Sequence, residues 1–302
     1  MKTVLITGAT GLVGNAIVAQ CRKQNIVVHY LSTSKDKVVS EPYYKGFFWN
    51  PSIGEVDERC LEGVDVIINL AGTPISKRWT TSYKKEILES RLQSLDVLRQ
   101  LLERVSHTVK HIVSASAIGI YQDSLTNYYE EDSPKISYSF LGQVVEQWEA
   151  KVDSFKTLNL LVSKIRIGLV LDRYKGALPQ MVKPVKYGLG AAFGSGEQWQ
   201  SWIHIDDLSR AFMHVALHQL EGTYNAVAPN PVTNEELIKS TAEVLKRPLI
   251  LPKIPKLMMS LILGEMHILL FESQRVSSQK LEQSGFEFTY YKLRPALENL
   301  LK

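Results

Sequence analysis

Three glycines at a spacing of three residues lie near the start of the chain, within residues 7–14 (TGATGLVG). An aliphatic run at residues 3–6 precedes them, and apolar residues at helical spacing follow. Between a strand and a helix, such a loop presents backbone N–H groups to a pyrophosphate at the positive end of the helix dipole. Gly8 suits a tight turn. Gly11 allows the pyrophosphate to approach the backbone closely, and Gly14 allows the helix to pack closely on the strand. The segment predicts a dinucleotide-binding loop, although a plain glycine-rich turn is the alternative.

The end of the second apolar run indicates which dinucleotide fits. Sites that select NAD commonly place an Asp or Glu there, about twenty residues past the loop, to accept hydrogen bonds from the ribose hydroxyls. This chain instead has Ser32, Thr33 and Ser34, followed by Lys-Asp-Lys at residues 35–37. Hydroxyls and two lysines suit a 2′-phosphate, which an acid would repel. We therefore predict NADP rather than NAD as the cofactor, with an ordinary polar turn as the alternative interpretation.

A sheet must position these residues, and the rest of the chain shows the alternation of apolar strands and helices that builds such a sheet. After a first helix at residues 12–22, apolar runs occur at residues 26–31, 47–48, 64–70, 111–113 and 160–167, with helical segments between most of them. Continuous apolar strands that alternate with helices indicate a parallel sheet covered on both faces. The predicted fold class is therefore α/β, a Rossmann-type doubly wound parallel sheet.

Glycine and proline become frequent after residue 171. This part predicts a smaller C-terminal substrate lobe of loops and short elements. Its predicted helices are at residues 206–218 and 233–245. We divide the chain into an NADP-binding Rossmann domain at residues 1–170 and a substrate-binding lobe at residues 171–302. The two are expected to interleave in part, since short strand candidates at residues 203–205 and 223–226 could return to the first sheet.

Composition and charge exclude several classes of protein. The 302 residues are 45% hydrophobic and 22% charged, as in a soluble globular chain. Lys and Arg number 35 against 31 Asp and Glu, and the charge of +4 is scattered, so no nucleic-acid partner is expected. Cys21 and Cys60 form no CxxC pair and have no histidine cluster beside them, which favours a reducing, cytoplasmic environment and no metal site.

No membrane attachment is expected either. The chain leads directly from its first two residues into a strand, which is unlike a signal peptide. The most apolar stretch, residues 257–271, is too short to span a bilayer and is interrupted by Gly264, Glu265 and His267. We interpret this stretch as a buried helix or as a contact between the two lobes.

Further motifs occur in order along the chain. They are Asn69-Leu70-Ala71-Gly72, Ser114-Ala115-Ser116-Ala117, residues 166–171 (RIGLVL) and residues 202–208 (WIHIDDL). With the GxxGxxG loop, these motifs resemble the extended short-chain dehydrogenase/reductase superfamily, the NAD(P)-dependent epimerases and dehydratases. Seven more motifs narrow the resemblance to the atypical branch called "epimerase family protein", short-chain dehydrogenase family 39U. They lie at residues 49–51, 78–80, 90–92, 188–190, 194–199, 228–232 and 280–288.

The resemblance covers essentially the whole chain and implies which residues hold the cofactor. Leu70 and Ala71 should line the adenosine side, Glu86 and Arg91 should face the cofactor, and Val170 should contact it near the nicotinamide. Arg91 has an independent rationale, because a guanidinium can form two hydrogen bonds with a pyrophosphate. The alternative interpretation is that Arg91 lies on a solvated, charged helix face. The full set predicted to bind the cofactor is Gly8, Thr10, Gly11, Leu12, Val13, Gly14, Ser32, Thr33, Leu70, Ala71, Gly72, Glu86, Arg91 and Val170.

The catalytic centre of the superfamily is only partly present. Its members use Ser or Thr after the fifth strand and a Tyr-x-x-x-Lys pair on the next helix, in which the lysine lowers the pKa of the tyrosine. Ser116 matches the serine, although a small residue packed beneath the cofactor is the alternative. Leu141 and Val145 occupy the positions of the pair. We predict Ser116 and the nearest tyrosine, Tyr138, as catalytic residues.

Two other residues are weaker catalytic candidates, Tyr121 and His204. His204 is better explained as a structural histidine, hydrogen-bonded to Asp206 or Asp207.

The residues predicted to bind substrate are Arg78, Trp199 and Trp202. The tryptophans suit an aromatic wall for a flat or sugar-like ligand, and Arg78 suits an anionic group. Tryptophans that merely anchor a loop are the alternative.

Three functions are consistent with this sequence. The first is an NADP-binding, atypical oxidoreductase or nucleotide-sugar-type epimerase that acts on an unknown small molecule. The second is a non-catalytic NADP-binding sensor or regulatory protein, because the Tyr-x-x-x-Lys pair is missing. The third is a lyase or isomerase with a tightly held cofactor. A homodimer is expected only by analogy with the fold.

Overall fold

The computed structural model describes residues 2–134 and 136–302. Its strands are β1 (Thr3–Thr7), β2 (Val27–Ser32), β3 (Ser40–Glu41), β4 (Tyr44–Asn50), β5 (Glu55–Val56), β6 (Val66–Asn69), β7 (His111–Ala117), β8 (Tyr128–Tyr129), β9 (Leu161–Ile167), β10 (Leu169–Leu171), β11 (Trp199–Gln200), β12 (Trp202–His204), β13 (Gly222–Ala226), β14 (Val232–Thr233) and β15 (Arg275–Val276). Its helices are α1 (Leu12–Lys23), α2 (Thr81–Arg104), α3 (Phe140–Asp153), α4 (Ala177–Lys186), α5 (Ile205–Leu217), α6 (Asn234–Leu245), α7 (Lys256–Leu263), α8 (Ile268–Phe271), α9 (Gln279–Gln283) and α10 (Leu293–Leu301). Short 3₁₀ turns lie at Lys35–Lys37, Pro51–Ile53, Glu58–Leu61, Ile118–Ile120, Ser154–Leu158 and Gly264–His267.

Parallel strands form the centre of one large sheet. Their order is β13-β9-β7-β6-β1-β2-β4, and β3 and β5 pair with β4 in antiparallel orientation, which makes nine strands in the described part of the chain. In the register of the sheet, Ile6 lies opposite Tyr30 on one side and Ile68 on the other. The central strands β1 and β6 are buried along almost their whole length, as a sheet covered on both faces requires. The predicted Rossmann-type α/β fold class is confirmed.

The direction of winding reverses beside β1. The chain moves from β1 through α1 to β2 on one side, and from β6 through α2 to β7 on the other. Because such crossovers are right-handed, α1 and α2 lie on opposite faces of the sheet. Accordingly, α1 packs against α5, and α2 packs against α3. A crevice therefore opens between the carboxyl ends of β1 and β6, the usual ligand position in open α/β sheets.

Both cysteines belong to the core of this sheet layer. Cys21 on α1 is fully buried, with its Sγ 3.7 Å from Sδ of Met213 on α5. Cys60 is also fully buried. Burial raises the pKa of both thiols to about 12. They therefore stay protonated and unreactive at neutral pH.

After residue 171 the chain builds a second, smaller core. The helices α4, α6 and α10 pack together around the buried side chain of Trp202. The sequence does not predict α4, because Pro179 and Pro184 are poor helix residues. In the structure Pro179 lies in the first turn, where no helical N–H is needed, and Pro184 lies in the last turn. The expectation of mostly loops is therefore wrong for α4.

Of the two short strands predicted to return to the first sheet, at residues 203–205 and 223–226, one does so. β13 pairs in parallel with β9 and extends the large sheet, as predicted. β12 instead pairs with β10 in a separate two-stranded sheet, so its predicted return to the first sheet is wrong. The division of the chain at residue 170 stays a prediction.

The apolar stretch at residues 257–271 has two parts. The α7 helix has no buried residue, so the interpretation as a buried helix is wrong there. Further along, Met266, Ile268 and Leu269 pack against the cluster around Trp79 that α2 and α3 share, which confirms a contact between the two parts of the chain. Among the described residues, we find no helix with both the length and the apolar character to cross a membrane.

Candidate functional site

The glycine loop makes the turn that its spacing predicts. Gly8 has a φ of +70°, a left-handed conformation that favours glycine. Its carbonyl oxygen accepts a hydrogen bond from the N–H of Gly11 at 3.0 Å. A Cβ atom on Gly14 would lie 2.2 Å from the same carbonyl oxygen. The close packing of α1 on the loop, which is the role predicted for Gly14, is therefore present.

The first turn of α1 has N–H groups that suit an anion. Gly11 is its N-cap, and no side chain in the described part of the chain caps this helix. Uncapped N–H groups and the helix dipole together attract negative charge. Directly before the loop, the buried Thr7 hydroxyl oxygen accepts hydrogen bonds from the N–H groups of Leu70 and Ala71, both at 3.0 Å. The motif spacing does not indicate this role of Thr7. The geometry fits the pyrophosphate of a dinucleotide.

A cleft of about 750 Å³ extends from this loop across the carboxyl ends of the strands. Of the residues predicted to bind the cofactor, those in its lining are Gly8, Thr10, Ser32, Thr33, Ala71, Gly72 and Glu86. Those outside its lining are Gly11, Leu12, Val13, Gly14, Leu70, Arg91 and Val170. Lining residues that were not predicted as cofactor contacts include Trp49, Asn50, Pro51, Ser90 and Gln93. They lie at the end of β4, directly after it or on α2, so the loop motif does not reveal them.

The end of the cleft at β2 has the polar character that the sequence predicts. Ser32 closes the turn, because its Oγ donates to the carbonyl of Ser34 at 3.0 Å. Lys37 lines the cleft with Thr33. Lys35 does not line it, and its Nζ lies 4.9 Å from the centre of the Phe48 ring. One of the two lysines is therefore placed to contact a ligand.

Arg91 lies at the border between the cleft and a second cavity. Its Nη1 donates to the carbonyls of Ile87 at 2.7 Å and Thr73 at 3.2 Å, and its guanidinium lies 5.1 Å from the ring centre of Trp148. Burial lowers the pKa of Arg91 to about 10, so the group stays positively charged at neutral pH. The alternative of a solvated position does not hold for Arg91. Glu86, on the same helix, accepts a hydrogen bond from the Thr73 hydroxyl at 3.0 Å.

The second cavity has a volume of about 210 Å³ and lies between the sheet and the C-terminal part of the chain. Most of its lining side chains are aliphatic or aromatic. The lining residues are Ile75, Arg91, Ala117, Ile118, Gly119, Leu141, Val144, Val145, Trp148, Ile167, Gly168, Leu169, Trp199, Gln200, Ser201, Leu269, Glu272 and Gln274. Arg91 lines this cavity and donates to the carbonyl of Thr73, which lines the cleft, so the two spaces lie on either side of this contact.

The positions of the missing pair face this cavity. Leu141 and Val145, both on α3, line it, so the place of the superfamily's Tyr and Lys is apolar here. Tyr138 does not line it, and 88% of this residue is exposed. The structure therefore does not bring Tyr138 to the predicted centre.

Ser116 belongs to a buried polar network instead of the cavity lining. It is 2% exposed, and its Oγ donates to Oε1 of Glu149 at 2.5 Å. Arg166 donates to both oxygens of Glu149, at 2.8 and 2.9 Å, and to the Tyr121 hydroxyl at 2.9 Å. Burial raises the pKa of Tyr121 to about 12. These contacts suit a structural network better than the catalytic roles predicted for Ser116 and Tyr121.

Of the residues predicted to bind substrate, only Trp199 lines the cavity. Its Nε1 donates to the carbonyl of Leu125 at 3.0 Å, which fixes the ring. Trp202 is fully buried in the second core and donates to the carbonyl of Asn230 at 2.9 Å. Arg78 is exposed and outside the lining. The tryptophans in the cavity lining are Trp148 and Trp199, and Trp202 is not among them.

His204 has the structural role expected of it. Its Nδ1 accepts a hydrogen bond from the N–H of Asp206 at 3.1 Å and so caps α5, and its Nε2 lies 3.2 Å from Oδ1 of Asn299. The ring is almost fully buried and stacks on Tyr290. Burial lowers the pKa of His204, so the neutral ring predominates at neutral pH.

Comparison with known proteins supports the reading of the motifs. The model of the NAD dependent epimerase/dehydratase family matches residues 4–226, and that of a domain of unknown function matches residues 254–300. An epimerase family protein of Staphylococcus epidermidis is 36% identical over 303 residues, covering 100% of both chains. One from Staphylococcus saprophyticus is also 36% identical, over 302 residues and 100% of both chains.

Solved structures agree in fold. The crystal structure of a human epimerase family protein with NADPH has a TM-score of 0.86 and 29% identity, over 99% of this chain and 98% of that one. A nucleoside-diphosphate sugar epimerase from Corynebacterium glutamicum has a TM-score of 0.78 and 30% identity, over 99% of this chain and 58% of that one. The chain belongs to the NAD-dependent epimerase/dehydratase family and, within it, to the atypical short-chain dehydrogenases named epimerase family proteins.

Proposed function

We propose that this protein binds NADP(H) in the cleft and catalyses oxidoreductase chemistry on a small, largely apolar carbonyl compound or alcohol in the adjoining cavity. The lining of the cavity carries the proposal. Only Arg91 and Glu272 are ionisable among the described residues that line it. A nucleotide sugar has two phosphates and many hydroxyls, for which this lining offers few partners. The geometry therefore favours a small apolar substrate over a nucleotide sugar.

The chain has groups for each part of the cofactor. The N–H groups at the start of α1 suit the pyrophosphate, and Gly8 and Gly11 permit its close approach. Thr33 and Lys37 suit a 2′-phosphate at the end of β2. Arg91 supplies a positive charge where the cleft meets the cavity. When bound, NADPH supplies a hydride to a carbonyl carbon.

The substrate class can be tested with purified protein and NADPH. We expect loss of NADPH absorbance with members of a panel of apolar aldehydes and ketones, and none with nucleoside-diphosphate sugars. Turnover of the sugars alone would contradict the proposed substrate class. Conversion of a substrate without net NADPH consumption would indicate lyase or isomerase chemistry instead.

Lys37 provides a test of the preference for NADP. Lys37→Ala should weaken the binding of NADPH by up to about fivefold and leave that of NADH unchanged, because an exposed charge pair contributes about 0.2–1 kcal/mol. The effect should shrink at high salt, which screens exposed charges. Titration calorimetry would measure both affinities. Lys35→Ala is the matched control, since Lys35 lies against the Phe48 ring. Tighter binding of NADH than of NADPH by the unmodified protein would overturn the preference.

A non-catalytic NADP-binding sensor is the second candidate. It is favoured by the apolar side chains of Leu141 and Val145 at the positions of the usual catalytic pair. This candidate predicts tight NADPH binding without turnover of any compound in the panel.

A further inference from the structure

Glu272 carries the one carboxyl group among the described residues that line the cavity. It follows α8, and its N–H donates to the carbonyl of Ile268 at 2.8 Å. The next residue, Ser273, donates its N–H to Asp123 and its hydroxyl to the carbonyl of Ser124, both at 2.8 Å. The backbone at Glu272 is therefore anchored on both sides, which holds the residue at the cavity wall.

The surroundings of Glu272 favour its protonated form. Burial is the main cause that raises the pKa of Glu272 to about 7. The Ser139 hydroxyl and the Lys256 ammonium act in the opposite direction, and the Asp123 carboxylate adds to the increase. The other charged group of the cavity is Arg91, on α2. A carboxyl group of this kind exists as both acid and base near neutral pH, the condition that suits proton transfer.

We propose that Glu272 is a catalytic acid and base of the cavity, which exchanges a proton with the oxygen of a carbonyl or alcohol substrate. The proposal rests on the proposed function. In the superfamily the helix equivalent to α3 supplies such a group, but the α3 side chains that line this cavity have no group that titrates near neutral pH. They are Leu141, Val144, Val145 and Trp148. Glu272 reaches the same cavity from the C-terminal part of the chain, beside Trp199 and Gln274.

The proton and electron pairs are accounted for in both reduction and oxidation. In reduction, the O–H bond of the Glu272 carboxyl group breaks and a new O–H bond forms on the substrate oxygen. The π electrons of the C=O bond move to that oxygen as the hydride from NADPH adds to the carbon, which leaves an alcohol, NADP⁺ and ionised Glu272. Glu272 is only half-buried, so it regains a proton from solvent. Oxidation of an alcohol reverses each transfer.

The test compares Glu272→Gln with the unmodified protein, using benzaldehyde or the panel member that is reduced fastest. Glutamine keeps the size of the side chain but has no acidic proton to transfer, so kcat/KM should fall about hundredfold. The rate of the unmodified protein should decrease as pH rises through about 7, because the folded-state pKa of Glu272 is raised to about 7 and only the protonated form donates. Glu272→Gln should lack this decrease, and Glu272→Asp should retain part of it.

Glu265→Gln is the matched control from the same segment. The Glu265 carboxylate is exposed, lies outside the cavity lining and pairs with the Lys84 ammonium at 2.6 Å. The rate and pH profile of Glu265→Gln should therefore equal those of the unmodified protein. Independently of activity, ¹³C NMR of the glutamate carboxyl groups should show one resonance with a midpoint near 7 that disappears in Glu272→Gln.

The outcomes distinguish this proposal from the proposed function. If aldehydes are reduced and Glu272→Gln keeps the rate and pH profile, Glu272 is not the acid, although the proposed function stands. A Glu272 midpoint below about 5 would also overturn its role, because the group would then be ionised at neutral pH. If NADPH binds and no carbonyl compound is reduced, the proposed function fails, and the catalytic role of Glu272 fails with it.

Discussion

Gly14→Ala is expected to weaken the binding of NADPH about hundredfold or more. The added Cβ atom would lie 2.2 Å from the Gly8 carbonyl oxygen and 2.6 Å from Cα of Ala9. Both are backbone atoms, so the loop or the first turn of α1 must move to relieve the contact. A hydrogen bond to a charged group contributes about 1.5–3 kcal/mol, so displacement of two N–H donors from the pyrophosphate gives a loss of this size. Titration calorimetry with NADPH would measure it.

A control must separate lost affinity from lost stability of α1. Gly14→Ala is also expected to lower the free energy of unfolding by about 1–3 kcal/mol, because it overpacks a buried position. Ala19→Gly lies on the exposed side of the same helix and costs about 1 kcal/mol through helix propensity, without touching the loop. Its NADPH affinity should stay close to that of the unmodified protein. An unchanged affinity in Gly14→Ala would contradict the placement of the pyrophosphate at this loop.

The dinucleotide loop could be predicted from the sequence because its physics is local. Gly8 must have a positive φ and Gly14 must lack a Cβ atom, and both requirements arise within eight consecutive residues. Thr33 could be placed in the same way, since the end of β2 lies beside the loop in any sheet of this order. The sequence does not distinguish Lys37, which lines the cleft, from Lys35, which does not. The fold class followed from the alternation of apolar strands and helices for the same reason.

Side-chain direction could not be predicted. Ser116 is at the expected strand, but it donates to Glu149, and nothing in the motif indicates that a glutamate on α3 would accept this bond. Trp199 and Trp202 are three residues apart, and only packing against the second core decides that Trp202 is buried while Trp199 faces the cavity. Residues in a short motif can therefore take different roles when two cores meet there.

Long-range contacts explain the residues that sequence reasoning missed. Glu272 lies more than a hundred residues from α3, and no motif connects it to the positions of the missing pair. Its pKa depends on burial that only the folded chain produces. An isolated glutamate after an apolar run was the only available signal.

Replacement of Arg166 by methionine is expected to lower the free energy of unfolding by about 3–5 kcal/mol. Arg166 on β9 is 9% exposed and donates to both oxygens of Glu149, itself 7% exposed. Methionine fills much of the same volume but has no donor. Among the described residues, the buried charge of Glu149 would then keep the Ser116 hydroxyl at 2.5 Å and the Lys164 ammonium at 3.8 Å. Urea unfolding would measure the loss.

Two further variants identify the cause of that loss. Arg294→Met makes the same change at an arginine whose side chain is 64% exposed and pairs with Glu243 and Glu298. It should cost less than about 1 kcal/mol. Arg166→Met combined with Glu149→Met removes both buried charges and should recover most of the stability, because apolar residues can replace a buried ion pair at little cost. If Arg166→Met alone kept the stability of the unmodified protein, Glu149 would not require a cationic partner.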